Sequence, residues 1–315
     1  MKKAIVIGGR GKTGQYLVPM LAESGYEVYS VSRSARAPVV QHACWKDVHQ
    51  VSIDREADAA FERTIADIGA DVVVDMICFS KDKMTRLTDL LKGQTGHYIA
   101  AGSVWVHGTP TFAPVQEWMS RNPTGDYGIQ KDAMSYELKR LWTQEKFPGT
   151  IVHPGHICAP GDFPVTPQGN KDKSVVAKMM RGERVVLPNN GMETLHHVHA
   201  EDVAGVIFAA VNAGSVSFGQ DFHAVSGPTC TMVGYAQAAF GWFGQAANIG
   251  FMPLDELVRA LPQPHARLTL EHTLRSPNAS MDNAKRLLGF VPKHIGMYAA
   301  KEAMMWFVDR GLIEG

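Results

Sequence analysis

The chain has 315 residues, and its 31 lysines and arginines are balanced by 31 aspartates and glutamates. This balance excludes the basic surface expected of a nucleic-acid-binding protein, and no apolar run approaches the length of about 20 residues that crosses a membrane. Gly8 to Lys12 interrupt the apolar N-terminal run before it reaches the length of a signal-peptide core. The length fits one large domain or two closely joined domains.

The four cysteines, at positions 44, 78, 158 and 230, are widely separated and form no C-x-x-C motif. This spacing is typical of free thiols in a reducing compartment rather than of a disulfide framework or a zinc site. We therefore expect a cytoplasmic protein.

A glycine-rich turn stands near the start of the chain. The apolar, β-rich run 3–7 is followed by Gly8-x-x-Gly11-x-x-Gly14 and then by an amphipathic run at 15–24. Strand, glycine turn and helix in this order predict a dinucleotide site, because the turn brings backbone amides close to a pyrophosphate. Lys12 and Thr13 lie inside the turn and are predicted to contact the cofactor. The alternative is a purely structural turn.

The next two strand ends bear on the choice of cofactor. The run 26–31 ends in Ser32-Arg33, and a small polar residue followed by arginine favours the 2′-phosphate of NADP over the free ribose of NAD. NAD remains possible, because Arg33 could be a solvated loop residue. Asp54 ends the third predicted strand, where it either accepts from the adenine amino group or caps the helix that begins near Glu56.

Apolar runs alternate with helix-like segments in the first third of the chain. The run 71–77 is typical of a parallel strand buried on both faces, and helix-like segments at 56–68 and 82–92 flank it. We therefore expect an α/β fold with a Rossmann-like, doubly wound parallel sheet. Ser103 ends the next predicted strand, where such sheets bind ligands. Considered alone, its hydroxyl could equally cap a turn.

Tyr127 is followed by a lysine four residues later, a spacing that none of the other tyrosines among the eight shares. The segment that follows lacks proline and glycine and is predicted to be a helix, so Tyr127 and Lys131 lie on one face. A fixed cation lowers the pKa of a nearby phenol, which makes tyrosine a plausible general acid or base. The alternative is an ordinary pair on a helix surface.

Together these segments resemble the extended short-chain dehydrogenase/reductase family, also called the NAD-dependent epimerase/dehydratase family. The resemblance runs nearly end to end and rests on the order of several motifs. They are Gly8-x-x-Gly11-x-x-Gly14, Ala101 to Gly108, Pro114-x-x-Glu117, Pro123, Tyr127-Gly128-x-x-Lys131, Val198 to Ala204, Phe222 to Gly227, and Ser280 to Pro292.

The resemblance implies roles for these residues. Tyr127 exchanges a proton with the substrate oxygen, Ser103 donates a hydrogen bond to it, and Lys131 holds the nicotinamide ribose and keeps the tyrosine acidic. Pro154 and His156 are expected to contact the cofactor as well. The implied lobes are 1–156 with 193–226 for NAD(P) and 157–192 with 227–315 for the substrate. Relatives of this kind are often dimers through helices near 82–92 and 127–146.

Departures from the family pattern narrow the substrate. Leu195 and His153 stand where sugar-nucleotide enzymes of the family usually have arginines, and Val104 and Trp105 replace the acidic residues of sugar dehydratases. The nucleoside-diphosphate-sugar interpretation is thereby weakened, and 4,6-dehydration is disfavoured.

Several aromatic residues are candidates for contact with the substrate, each with packing as the alternative. They are Trp105, His107, His196 and His197. His196, His197 and His199 also suggest a metal, but no nearby carboxylate completes a site, so we expect none.

The sequence therefore predicts an NAD(P)-dependent oxidoreductase that acts on a carbonyl or hydroxyl of a small polar substrate, a class that includes sugar derivatives. An epimerase that recycles its cofactor is the first alternative, since no residue separates the two activities. The second is an RNA-associated or cofactor-sensing protein on the same fold, which the neutral charge and the complete catalytic set disfavour. We expect a small-molecule substrate, a homodimer, and neither nucleic-acid nor membrane partners.

Overall fold

The computed structural model describes residues 1–34 and 37–314. The strands in this part of the chain are β1 Lys3–Ile7, β2 Glu27–Ser32, β3 His49–Ser52, β4 Val72–Asp75, β5 His97–Ala101, β6 Gly149–Pro154, β7 His156–Cys158, β8 Val185–Pro188, β9 Thr194–Leu195, β10 His197–His199, β11 Asp221–Ala224, β12 Cys230–Thr231 and β13 Ile249–Met252.

The α-helices in the same part are α1 Gly14–Glu23, α2 Phe61–Asp67, α3 Lys81–Leu91, α4 Gly125–Glu145, α5 Lys173–Met180, α6 Ala200–Ala213, α7 Met232–Trp242, α8 Leu254–Ala260, α9 His265–Arg275, α10 Asp282–Leu288 and α11 Gly296–Val308. Among the described helices, none is both long and apolar enough to cross a membrane.

A seven-stranded parallel sheet forms the centre of the molecule, in the order β11-β6-β5-β4-β1-β2-β3. The strand order changes direction between β1 and β4, so the carboxyl ends of these strands border a crevice of the kind that binds ligands in open α/β sheets. The predicted Rossmann-like, doubly wound fold is confirmed.

Helices cover both faces of this sheet because side chains alternate along each strand. On β1, Ala4 and Val6 pack toward α1 and α6, whereas Ile5 and Ile7 pack toward α2, α3 and α4. The central strands are largely apolar and buried, as in β4, whose four residues, three valines and Asp75, are all buried.

Three two-stranded sheets and a further set of helices form a second layer beside the carboxyl edge. The small sheets pair β10 with β7, β12 with β9, and β13 with β8. Their own hydrophobic core includes Met179, Leu187, Phe240 and Met304, from α5, β8, α7 and α11. The segments that build this layer therefore come from two parts of the chain, one before β10 and one after β11.

Candidate active site

Lys131 lies where two strands of the central sheet end. It is 1% exposed, and its Nζ donates hydrogen bonds to the backbone oxygens of Cys78, at 2.7 Å, and Ala101, at 2.6 Å. The same ammonium lies 4.8 Å from the ring centre of Phe79 and 5.7 Å from that of Tyr127. Burial lowers the pKa of Lys131 to about 8.

Tyr127 lies one helical turn earlier, in the first turn of α4. The residue is 41% exposed overall, yet protein atoms crowd its hydroxyl. Burial raises the pKa of Tyr127, and a hydrogen bond with the Ser103 side chain opposes this rise. The expected lowering by Lys131 is not what this arrangement gives, because backbone oxygens hold the ammonium and the phenol is desolvated.

Ser103 lies two residues after the end of β5 and caps the short 3₁₀ helix Val104–His107. Its Oγ accepts a hydrogen bond from the backbone N–H of Trp105 at 3.2 Å. The capping role considered from sequence therefore exists, and the Ser103 side chain also acts on the pKa of Tyr127, which it lowers. The two roles are compatible, since a hydroxyl can accept one hydrogen bond and donate another.

The glycine turn connects β1 to α1 and has the geometry of a dinucleotide cradle. Gly8 has φ +88°, which favours glycine, and a Cβ on Gly14 would lie 2.5 Å from the backbone oxygens of Gly8 and Gly9. The turn therefore excludes side chains where backbone amides at the start of α1 approach a ligand.

One cavity of about 540 Å³ joins the glycine turn to the Ser103, Tyr127 and Lys131 set. From the turn, its lining includes Gly8, Gly11, Lys12, Thr13 and Gly14. These elements come from the ends of β1 and β5 and the start of α4. A single elongated ligand can therefore contact both the glycine turn and the Ser103, Tyr127 and Lys131 set.

Lys12 reaches across this cavity to the second layer. Its Nζ lies 2.8 Å from Oδ2 of Asp162, and Lys171 Nζ lies 3.6 Å from the same oxygen. Gly161 and Asp162 also line the cavity. An ion pair thus spans the opening between the glycine turn and the segment after β7.

The residues predicted to select the cofactor lie at the ends of β2 and β3. Ser32 Oγ donates to the backbone oxygen of Ser34 at 2.8 Å, and Arg33 is exposed. Asp54 Oδ1 accepts from the backbone N–H of Glu56 at 2.9 Å and so closes a turn, but it caps no helix, because α2 begins only at Phe61.

Sequence reasoning missed Arg10, which lies inside the glycine turn and lines the cavity. Its Nε donates to Oε1 of Gln50 at 2.8 Å, and its guanidinium lies 5.3 Å from the ring centre of Trp45. The position of Arg10 between Gly9 and Gly11 could have indicated this role, because a cation within a glycine turn lies near the ligand that the turn binds.

The model of the NAD dependent epimerase/dehydratase family matches residues 4–222. The chain belongs to this family. The family resemblance predicted from the sequence is thereby confirmed. The predicted enzyme class, which uses a nicotinamide cofactor, is that of this family.

The chain is also similar to one relative and to solved structures, and the solved structures share its fold. The chain is 25% identical over 224 residues to 2′-dehydrokanamycin reductase of Streptomyces kanamyceticus, a match that covers 71% of this chain and 62% of that protein. It resembles dTDP-glucose 4,6-dehydratase of Bacillus anthracis in complex with NAD, with TM-score 0.76, 14% identity and coverage of 100% and 99%. UDP-N-acetylglucosamine 4-epimerase of Bacillus cereus gives TM-score 0.73, 18% identity and coverage of 100% and 99%.

The two cofactor residues predicted where β6 ends and β7 begins, Pro154 and His156, differ in whether they line the cavity. Pro154, Gly155 and Ile157 line the cavity. His156 instead places its ring 4.8 Å from that of His272 and 5.6 Å from that of His197. His156 and Ile157 are successive residues of β7, so their side chains lie on opposite sides of the strand, and of these two only Ile157 lines the cavity.

Of the four residues predicted to contact substrate, Trp105 lies closest to the reactive set, with its ring 5.7 Å from that of Tyr127. The three histidines are buried. His107 contacts His223, at 2.9 Å between their Nε2 atoms, and His197 Nδ1 lies 3.4 Å from Sγ of Cys158. His196 bonds only backbone groups among its described partners. For these three the packing alternative is the one that the contacts favour.

A different group of side chains comes close enough to hold a metal, namely His199, Glu201 and His294, whose ligand atoms lie within 4.8 Å of one another. Nδ1 of His199 accepts from the N–H of Glu201 at 3.1 Å, so Nε2 carries the proton and donates to Glu302 at 2.8 Å. With both nitrogens engaged, His199 has no lone pair for a metal, and the cluster is better described as hydrogen-bonded.

Proposed function

We propose that the chain is an NAD(P)-dependent oxidoreductase that acts on a carbonyl or hydroxyl of a small polar substrate, a class that includes sugar derivatives. One observation carries the proposal: the glycine turn and the Ser103, Tyr127 and Lys131 set line one cavity. When bound, the nicotinamide cofactor supplies or accepts the hydride. The crowded backbone of the turn and the start of α1 fit a pyrophosphate, and Lys131, which lines the same cavity, would hold the ribose.

The chain's own residues then handle the proton and the developing charge. The Tyr127 hydroxyl gives its proton to the substrate oxygen in the reductive direction and takes it back in the oxidative direction. The Ser103 hydroxyl donates a hydrogen bond to the same oxygen, while the Lys131 ammonium favours the negative charge left on the phenol. The raised pKa of Tyr127 keeps the phenol protonated before reduction begins.

Net oxidoreduction is the preferred activity because a reductase, named for 2′-dehydrokanamycin, is among the relatives. The Lys12 to Asp162 ion pair supports the epimerase alternative, since a bridge across the cavity would retain a recycled cofactor. Spectrophotometry separates the two. Stoichiometric loss of NADPH absorbance with a panel of ketosugars supports the reductase, whereas turnover without loss, by protein that retains nucleotide through purification, supports the epimerase.

We propose that NADP is preferred over NAD, with Arg33 and Arg10 as the cations near the 2′-phosphate. Replacing Arg33 by serine should weaken NADPH binding about 10-fold and leave NADH binding unchanged, because only NADPH carries the phosphate. Titration calorimetry measures both affinities, and Arg63→Ser on exposed α2 is the matched control. A wild-type preference for NADH would contradict this assignment.

We also propose that 157–192 and 227–315 form the substrate-binding lobe and that the protein is a cytoplasmic homodimer. His272 and Arg275 of the second segment contact Trp105 beside Tyr127, which supports the lobe assignment. The four free thiols fit a reducing compartment. Exposed Ile129 and Tyr136 on α4 fit a dimer interface, which sedimentation would test.

A further inference from the structure

A pair of buried histidines lies beneath the turn that carries Ser103. His153 on β6 and His223 on β11 are paired in register on adjacent parallel strands, and both are 0% exposed. Residues paired in this way project from the same side of the sheet. Fully buried imidazoles are uncommon, and such groups normally have defined hydrogen-bond partners.

His153 fixes the backbone at the start of the turn. Its Nδ1 accepts a hydrogen bond from the Ser103 N–H at 3.0 Å. A Cβ on Gly102 would lie only 2.2 Å from this Nδ1, so the ring packs directly on the main chain. The imidazole therefore determines where the backbone of Ser103 lies.

Asp221 lies near the other nitrogen of this imidazole, at a distance too long for a hydrogen bond. Because Nδ1 accepts, Nε2 carries the proton, and it faces Oδ2 of Asp221 at 3.9 Å. Asp221 is itself held by Arg121, by Lys139 at 2.6 Å and by the Ser135 hydroxyl at 3.1 Å. An imidazole N–H therefore faces the carboxylate, and the other tautomer would place a lone pair there instead.

His223 holds the other end of the same turn. Its Nδ1 donates to the backbone oxygen of Ser280 at 3.0 Å, so its Nε2 accepts from Nε2 of His107 at 2.9 Å. Oε1 of Glu117 accepts from the backbone N–H of His223 at 2.8 Å. His107 is the last residue of the 3₁₀ helix that Ser103 caps, so one imidazole anchors each end.

We propose that His153 is a positioning residue that sets the Ser103 hydroxyl against Tyr127, and that His223 supports the same turn through His107. This inference rests on the proposed function, because it assigns His153 a role through Ser103. The Ser103 hydroxyl must satisfy the Trp105 N–H and still reach the substrate oxygen, and a displacement of about 1 Å can cost about 100-fold in rate.

A double-mutant cycle between His153 and Ser103 tests the proposal. His153→Phe keeps a ring but removes the acceptor, and His153→Asn restores an acceptor near the position of Nδ1. We expect kcat for carbonyl reduction to fall about 10- to 100-fold in His153→Phe and to recover most of this loss in His153→Asn, with the cofactor Kd changed less than about 2-fold. In a Ser103→Ala background, His153→Phe should cause less than about 2-fold further loss.

Equal losses of kcat in both backgrounds would overturn the proposal, since they would show that His153 acts independently of Ser103. If His153→Phe does not fold, His107→Phe is taken through the same cycle with Ser103→Ala, and purely additive effects there overturn the proposal too. His49→Phe, at an exposed position on β3, is the control for adding a phenyl ring. Failure of the proposed function is distinguishable, because Ser103→Ala and Tyr127→Phe would then leave turnover intact.

Discussion

Two regions rich in candidate residues behave differently in this protein. The glycine turn, Ser103, Tyr127 and Lys131 converge on one cavity at the carboxyl edge of the central sheet. The histidines at 107, 196 and 197 are buried in the packing behind it. The first group follows strand ends or begins a helix, positions where side chains share an edge. The second includes neighbours in an extended segment, whose side chains alternate between faces.

Removing the phenol of Tyr127 should have the largest effect in the first region. Tyr127→Phe deletes the proposed proton donor and leaves the glycine turn and Lys131 unchanged, so we expect kcat to fall by about 10³-fold while the cofactor Kd changes less than about 3-fold. Steady-state kinetics and fluorescence titration measure the two quantities. Tyr136→Phe, at an exposed site on the same helix, is the matched control. Full activity of Tyr127→Phe on a verified substrate would show that the reactive group is elsewhere.

Lys131 should favour activity and, at the same time, lower the stability of the fold. Lys131→Met is expected to weaken both turnover and cofactor binding. In the wild type, however, the buried ammonium disfavours folding by about 3 kcal/mol, because its pKa falls from 10.5 to about 8. This penalty is fully present below pH 8. It disappears as the pH rises from about 8 to 10.5, since the folded protein releases the proton before the unfolded chain does.

The free energy of unfolding of the wild type, relative to Lys131→Met, should therefore increase by up to about 3 kcal/mol between pH 8 and pH 10.5. Urea unfolding at a series of pH values measures this difference, and groups that titrate in both proteins cancel. Lys301→Met, at an exposed position on α11, should show no comparable change. Parallel pH profiles for wild type and Lys131→Met would contradict the lowered pKa.

Local patterns predicted much of the fold and pointed to residues that line the cavity. The glycine spacing, the apolar runs of β1 and β4, and the four-residue spacing of Tyr127 and Lys131 each depend on neighbours in the chain. The predicted helix 56–68 is shorter in the structure, α2 Phe61–Asp67, because Asp54 and Asp58 form turns before it.

Contacts between distant residues could not be predicted in this way. Lys12 meets Asp162 across 150 positions, and Ser103 meets His153 across 50. Neither pair has a sequence pattern that indicates its partner. The prediction that His156 contacts the cofactor rests on its segment approaching the cavity, but the direction of its ring depends on the pairing of β7 with β10.

The smallest effect on activity should come from His196, in the second region. Nδ1 of His196 accepts from the Ala279 N–H at 3.1 Å, and Nε2 lies 3.2 Å from the backbone oxygen of Ser226. His196→Phe leaves both backbone groups buried without a partner, so we expect the free energy of unfolding to fall by about 2 kcal/mol. At a temperature well below the transition, kcat and KM should stay within about 2-fold of the wild type.

Trp105→Ala provides the contrast, because its ring lies against Tyr127 at 5.7 Å. Loss of this ring should raise the KM for substrate about 10-fold, since an aromatic contact beside the reacting group is removed. Denaturant unfolding and steady-state kinetics on both variants complete the test. A large rise in KM for His196→Phe, with unfolding unchanged, would move His196 from the packed interior to the substrate and erase the difference between the two regions.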